Sequence, residues 1–76
     1  MRVSVQSYSG YKADERPEAI LFDERTVRIL DILGRWYEPG AEYFKVKADD
    51  LYIYILKHEL GQDMWTIEYM EKTLQP

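Results

Sequence analysis

The sequence predicts an all-β protein: a small antiparallel barrel of five or six strands, SH3-like in size. Three observations carry that expectation. Short stretches alternate between apolar and polar residues, turn-forming residues separate them at close intervals, and the four glycines stand singly at positions 10, 34, 40 and 61, each at a turn or bend. A barrel is favoured over an open sheet because closure removes exposed strand edges. Residues 1–76 read as a single domain, with no internal repeat, low-complexity stretch or linker.

The elements follow in order. Val3 to Ser9 alternates, with Val3 and Val5 on one side and Ser4 and Gln6 on the other, as a half-buried or edge strand does. Gly10 to Pro17 carries a glycine, a proline and a polar run, so it reads as a loop of the kind on which binding residues concentrate. Glu18 to Asp23 is a short strand that turns at Asp23, Glu24 and Arg25 into the next one. Thr26 to Trp36 is ambiguous, since Val27, Leu30 and Leu33, and likewise Ile29, Ile32 and Trp36, fit helical spacing. The β-branched Thr26, Val27, Ile29 and Ile32 favour a strand, broken by a bulge between Leu30 and Leu33, with Gly34 at the bend.

Pro39 and Gly40 signal a type II turn. Tyr43 to Ala48 then alternates cleanly, sending Phe44, Val46 and Ala48 inward and Tyr43, Lys45 and Lys47 outward, before Asp49 and Asp50 turn the chain. Leu51 to His58 is apolar on both faces, as a central strand is. A turn at His58 to Asp63 leads to a last strand with Trp65, Ile67 and Tyr69 on one side. Trp36, Trp65, Phe22, Phe44 and Tyr69 are the expected core aromatics.

Ten basic against fourteen acidic residues give a net charge of -4, so attraction to nucleic acid phosphates is not the default expectation. With no cysteine there is no disulfide framework, thiolate metal site or thiol nucleophile, which fits a reducing, cytoplasmic setting. The apolar stretches are too short to cross a bilayer, and the start of the chain lacks the apolar region of a signal peptide. No membrane association is expected.

Catalytic patterns are equally sparse. His58 is the only imidazole; it reads as a surface residue at a turn, and the adjacent Glu59 belongs to the opposite strand face. Asp14 with Glu15, and Asp49 with Asp50, fit solvated turns rather than acid/base dyads. No glycine-rich phosphate loop is present. The sequence therefore points to no enzyme, no metal and no cofactor, and leaves recognition.

Two groups of residues are candidates for it. Tyr43, Lys45 and Lys47 share an outward face, and pairing with the following strand is expected to bring Tyr52 and Tyr54 beside them. Aromatics interleaved with lysines suit stacked bases and phosphates, and equally suit a plain cross-strand stabiliser in which lysine stems cover the rings. Tyr11, Lys12 and Arg16, with Arg35, Trp36 and Tyr37, form the second group, of the types common at interface hot spots.

Taken together, residues 7–17, Ile32 to Tyr37, Tyr43 to Asp50, Tyr54 to His58, and Trp65 resemble a family of small uncharacterised bacterial β-domains, over nearly the whole chain. The resemblance implies a stand-alone cytoplasmic β-protein. Similar modules occur alongside proteins of translesion DNA synthesis, which implies a binding role in a repair context; no activity or catalytic residue carries over. Members of that family often have glycine after the second acidic turn, where this chain has Leu51, and this leaves the register of that hairpin open. The expectation is a non-enzymatic module that binds a protein partner, with single-stranded nucleic acid as the alternative.

Overall fold

The computed structural model describes residues 1–9 and 15–73, and of residues 8, 9 and 15 only the backbone. Six strands form in chain order: β1 (Arg2–Ser9), β2 (Glu15–Leu21), β3 (Thr26–Glu38), β4 (Ala41–Ala48), β5 (Tyr52–Glu59) and β6 (Met64–Lys72). Each pairs antiparallel with the next, and β6 returns to β1, so the sheet closes into a barrel of the small SH3-like kind. Thr26 to Trp36 is strand, as its β-branched residues favour. β2 begins at Glu15, so it takes in three residues assigned to the preceding loop by their Pro and charge content.

The core is the inward row of each strand. Ile20, Phe44, Val46, Ala48, Tyr54 and Leu56 are fully buried, with Val27, Trp65 and Ile67 packed among them. Phe44, Val46 and Ala48 alternate inward on β4 as their spacing predicts. Phe22 packs against this cluster from its margin.

Extra residues bend the strands. Pairing of β3 with β4 skips Leu30 and Leu33, two bulges where one was expected; pairing of β5 with β6 skips Glu68, and that of β1 with β2 skips Glu18. Each bulge shifts the alternation of side chains by one. On β3 the bulge at Leu30 leaves Asp31 outward against Lys47 and turns Ile32 inward against Val46, and the bulge at Leu33 then sets Gly34 outward against Lys45.

The turns obey backbone sterics except at two non-glycine residues in the left-handed region, Leu51 and Asp63, the latter with φ 50°. Gly40 has φ 79°, the conformation required at the third position of the type II turn at Pro39 and Gly40. Between β4 and β5 the chain turns through Asp49, Asp50 and Leu51, and Leu51 carries φ 69°, a left-handed conformation that a residue with a Cβ rarely adopts. The pairing that follows is regular, from Lys47 with Ile53 to Ala41 with Glu59, which settles the register. The Leu51 amide donates to the Ala48 carbonyl (3.2 Å), the Tyr52 amide to Asp50 Oδ1 (3.1 Å) and the Thr73 amide to the Leu51 carbonyl (2.7 Å).

Strand pairing is not uniform around the barrel. Among the described residues β2 pairs with β3 only from Ala19–Arg28 to Leu21–Thr26, and an open cleft of about 790 Å³ lies above, lined by Arg16, Pro17, Glu18 and residues 28–32. At the closing seam β1 meets β6 at Arg2–Thr66 and Val3–Trp65, extended by the hydrogen bonds that the Met1 amino group and carbonyl make with Ile67.

Candidate functional site

The outer face of β3 to β6 is fixed by cross-strand register. One row runs Asp31, Lys47, Ile53, Glu71; the next Gly34, Lys45, Ile55, Tyr69; the third Trp36, Tyr43, Lys57, Thr66; and the last Glu38, Ala41, Glu59, Met64. Its centre is therefore aromatic, aliphatic and cationic, and its margins carry carboxylates. Trp36 and Tyr43 stack with ring planes 2° apart and centroids 5.5 Å apart, and Trp36 extends across Gly34, where a Cβ would lie 3.7 Å from its ring.

Hydrogen bonds hold the phenols in place. The Tyr43 hydroxyl donates to Glu38 Oε1 (3.0 Å), and this bond to a carboxylate raises its pKa above the usual phenol range. Tyr69 donates to Glu71, with the same consequence. Lys57 lies between Tyr43 and Thr66 and pairs with Glu59 (3.5 Å); the nearby Tyr43 phenol, then the Glu59 carboxylate, raises its pKa. Lys45 and Lys47 form no ion pair among the described residues, although the chain carries fourteen carboxylates.

Tyr43, Lys45 and Lys47 thus lie together on the outer face, as expected. Tyr52 and Tyr54 do not join them. Register pairs Tyr54 with inward Val46, and its ring is fully buried against Phe22 and Tyr52. Its hydroxyl donates to Asp50 Oδ2 (2.6 Å); burial, then that bond, pushes its pKa well up. Arg25 approaches the same carboxylate at 3.7 Å, so this end of the barrel is shut by Phe22, Arg25, Asp50 and Tyr54. Lys57 marks the outward parity of β5 and could have placed both tyrosines correctly.

Trp36 and Tyr69, expected in the core, are 38% and 47% exposed. Trp36 lies opposite Tyr43, one position out of phase with inward Arg35. Tyr69 is turned outward by the bulge at Glu68, which has no signal in the clean alternation of Trp65, Ile67 and Tyr69. Arg16 is exposed at the β2–β3 cleft, opposite Tyr8 on β1 and apart from the outer face. Tyr11 and Lys12 lie outside the described residues.

His58 is the other correction. It is buried at 4%, its imidazole stacks on Trp65 (centroids 4.1 Å apart, planes 6°), and Nε2 lies 2.6 Å from Asp63 Oδ1. It points inward because it continues the row Tyr54, Leu56, His58. Glu59, as expected, takes the opposite face. Glu42 is the cross-strand neighbour of His58 and equally buried; Arg35 satisfies it through Nε while its guanidinium lies 5.1 Å from the Phe44 ring centre. These groups tie the 60–63 turn and the ends of β3 and β4 to the core, and no group of three or more metal-ligating side chains forms among the described residues.

The outer face thus combines a stacked Trp–Tyr pair, a second exposed tyrosine and two lysines that form no ion pair among the described residues, on four strands. No family model, curated protein or solved structure matches the chain.

Proposed function

We propose that this chain is a non-enzymatic protein-binding module whose contact surface is the outer face of β3 to β6. The observation that supports the reading is the Trp36–Tyr43 stack beside unpaired Lys45 and Lys47. Trp and Tyr supply large, stiff contact area at low entropic cost and dominate interface hot spots. The stack is pre-organised by Glu38 and Gly34, so little ordering is left for the binding step. Single-stranded nucleic acid is the competing ligand for aromatics beside lysines, but Asp31, Glu38, Glu59 and Glu71 border the face and the net charge is -4.

Capture from native lysate with the wild-type chain and with a Trp36→Ala/Tyr43→Ala variant of unchanged fold tests the reading. Partners retained by the wild type and lost by the variant are expected. An identical set captured by both overturns the assignment of the face.

A further inference from the structure

We infer that the partner docks a short acidic segment in extended conformation along the Lys45–Lys47 row, with an apolar side chain set between the Trp36–Tyr43 stack and Tyr69. This rests on the outer face being the binding surface, and it specifies what that surface takes. Two lysines at positions i and i+2 of one strand stand about 6.7 Å apart along it. An extended peptide with carboxylates at alternate positions repeats the same spacing, so both ammonium groups are met in one register.

The charges around the row set the length of the ligand. Lys57 is already paired with Glu59, while Lys45 and Lys47 are not paired. Asp31 and Glu71 stand at the two ends of the row that contains Lys47, and Glu38 and Glu59 flank Ala41 at the start of β4. A phosphate backbone crossing the strands would meet those carboxylates, whereas a short segment with two carboxylates laid along β4 lies between them. Ile55, between Lys45 and Tyr69 in the same row, supplies the apolar floor for a side chain two positions from the nearer carboxylate, which shares the carboxylates' face of the extended segment.

The test is an NMR titration of the 76-residue chain. The probes are a short synthetic peptide with a central Leu-Ser-Glu-Ser-Glu, in which the leucine and both glutamates share one face, its counterpart with glutamine for each glutamate, a peptide with the two glutamates adjacent, and an oligothymidylate of similar length. The Leu-Ser-Glu-Ser-Glu peptide is expected to shift the amides of residues 43–47 and the Trp36 indole saturably. Its affinity should exceed that of both control peptides, and Lys45→Glu/Lys47→Glu should weaken it about tenfold or more. Raising salt from about 0.01 M to about 1 M, which shortens the screening length from about 30 Å to about 3 Å, should weaken it further.

Equal binding of the glutamine peptide, or undiminished binding by the charge-reversed variant, overturns the acidic chemistry. Tighter binding of the oligothymidylate at the same residues reassigns the face to nucleic acid. Dilution-dependent shifts there without any ligand make a second copy of the chain the occupant. Lysate capture that still depends on Trp36 and Tyr43 while the peptide result fails would overturn this inference alone. Loss of that dependence overturns the binding face itself.

Discussion

Leu51 offers the sharpest test of the backbone. Its φ of 69° places a γ-branched residue in the left-handed region, at the last position of the three-residue turn through Asp49 and Asp50. For an L-residue that conformation costs about 1–2 kcal/mol, and glycine escapes it at an entropic cost of about 0.5–1 kcal/mol. Leu51→Ala keeps the Cβ and removes the rest of the side chain, so comparing it with Leu51→Gly isolates the backbone. The glycine variant should be the more stable by about 0.5–1 kcal/mol, whereas in strand interiors glycine is the weaker residue. An unfolding entropy of about 2.1 cal/mol/K per residue over 76 residues converts 1 kcal/mol into a Tm difference of about 6 °C. Thermal melts and urea midpoints at equal m-value measure it. A glycine variant that melts below the alanine variant would refute the left-handed assignment.

The other predictions concern rings and one further glycine. Tyr54→Phe should cost about 1–2 kcal/mol in urea unfolding, because it strips Asp50 of a buried donor. The raised pKa of Tyr54 means that the native state keeps its proton above the unfolded value near 10, so that stability is full below pH 10 and falls as pH rises past it. Wild-type stability should therefore decline above pH 10 by about 1.4 kcal/mol per pH unit for this group, and Tyr54→Phe should flatten that slope. His58→Ala should cost about 2–4 kcal/mol through the cavity left against Trp65, and His58→Phe clearly less, since it retains the stack. Gly34→Ala should lie within about 0.5 kcal/mol of wild type, because the added methyl meets Trp36 at 3.7 Å and Lys45 at 3.8 Å, ordinary contact distances. A large loss there would show that the Trp36 ring cannot accommodate it.

The fold was legible in the sequence because alternation and turn chemistry agree. Phe44, Val46 and Ala48 against Tyr43, Lys45 and Lys47 fix a strand and both of its faces, and Pro39 with Gly40 fixes the turn before it. Side-chain direction was lost where local pattern and register part company. On β5 both faces are apolar, and the residue that discloses parity is Lys57, which sends Tyr54, Leu56 and His58 inward. Size misled at Trp36: a large ring suggested the core, yet it stands one position out of phase with Arg35 and covers Gly34 from outside. His58 shows the converse. A polar residue near a turn read as surface, and burial is tolerated because Asp63 and Trp65 take up its edge and its face.

The bulge at Glu68 decides which rings of β6 face outward. Without it, Tyr69 would continue the inward row of Trp65 and Ile67 and compete with Tyr54 for the same interior; with it, Tyr54 fills that interior and Tyr69 stands in the outer row beside Ile55. Tyr69 is 47% exposed there, and Met70, which follows it opposite Tyr54, is 44% exposed. The bulge at Leu30 on β3 acts similarly on a charge, holding Asp31 at the margin of the outer face and seating Ile32 in its place against Val46. The irregularities of this barrel thus sort its side chains, concentrating aromatic and cationic groups at the centre of one face and leaving carboxylates at its border.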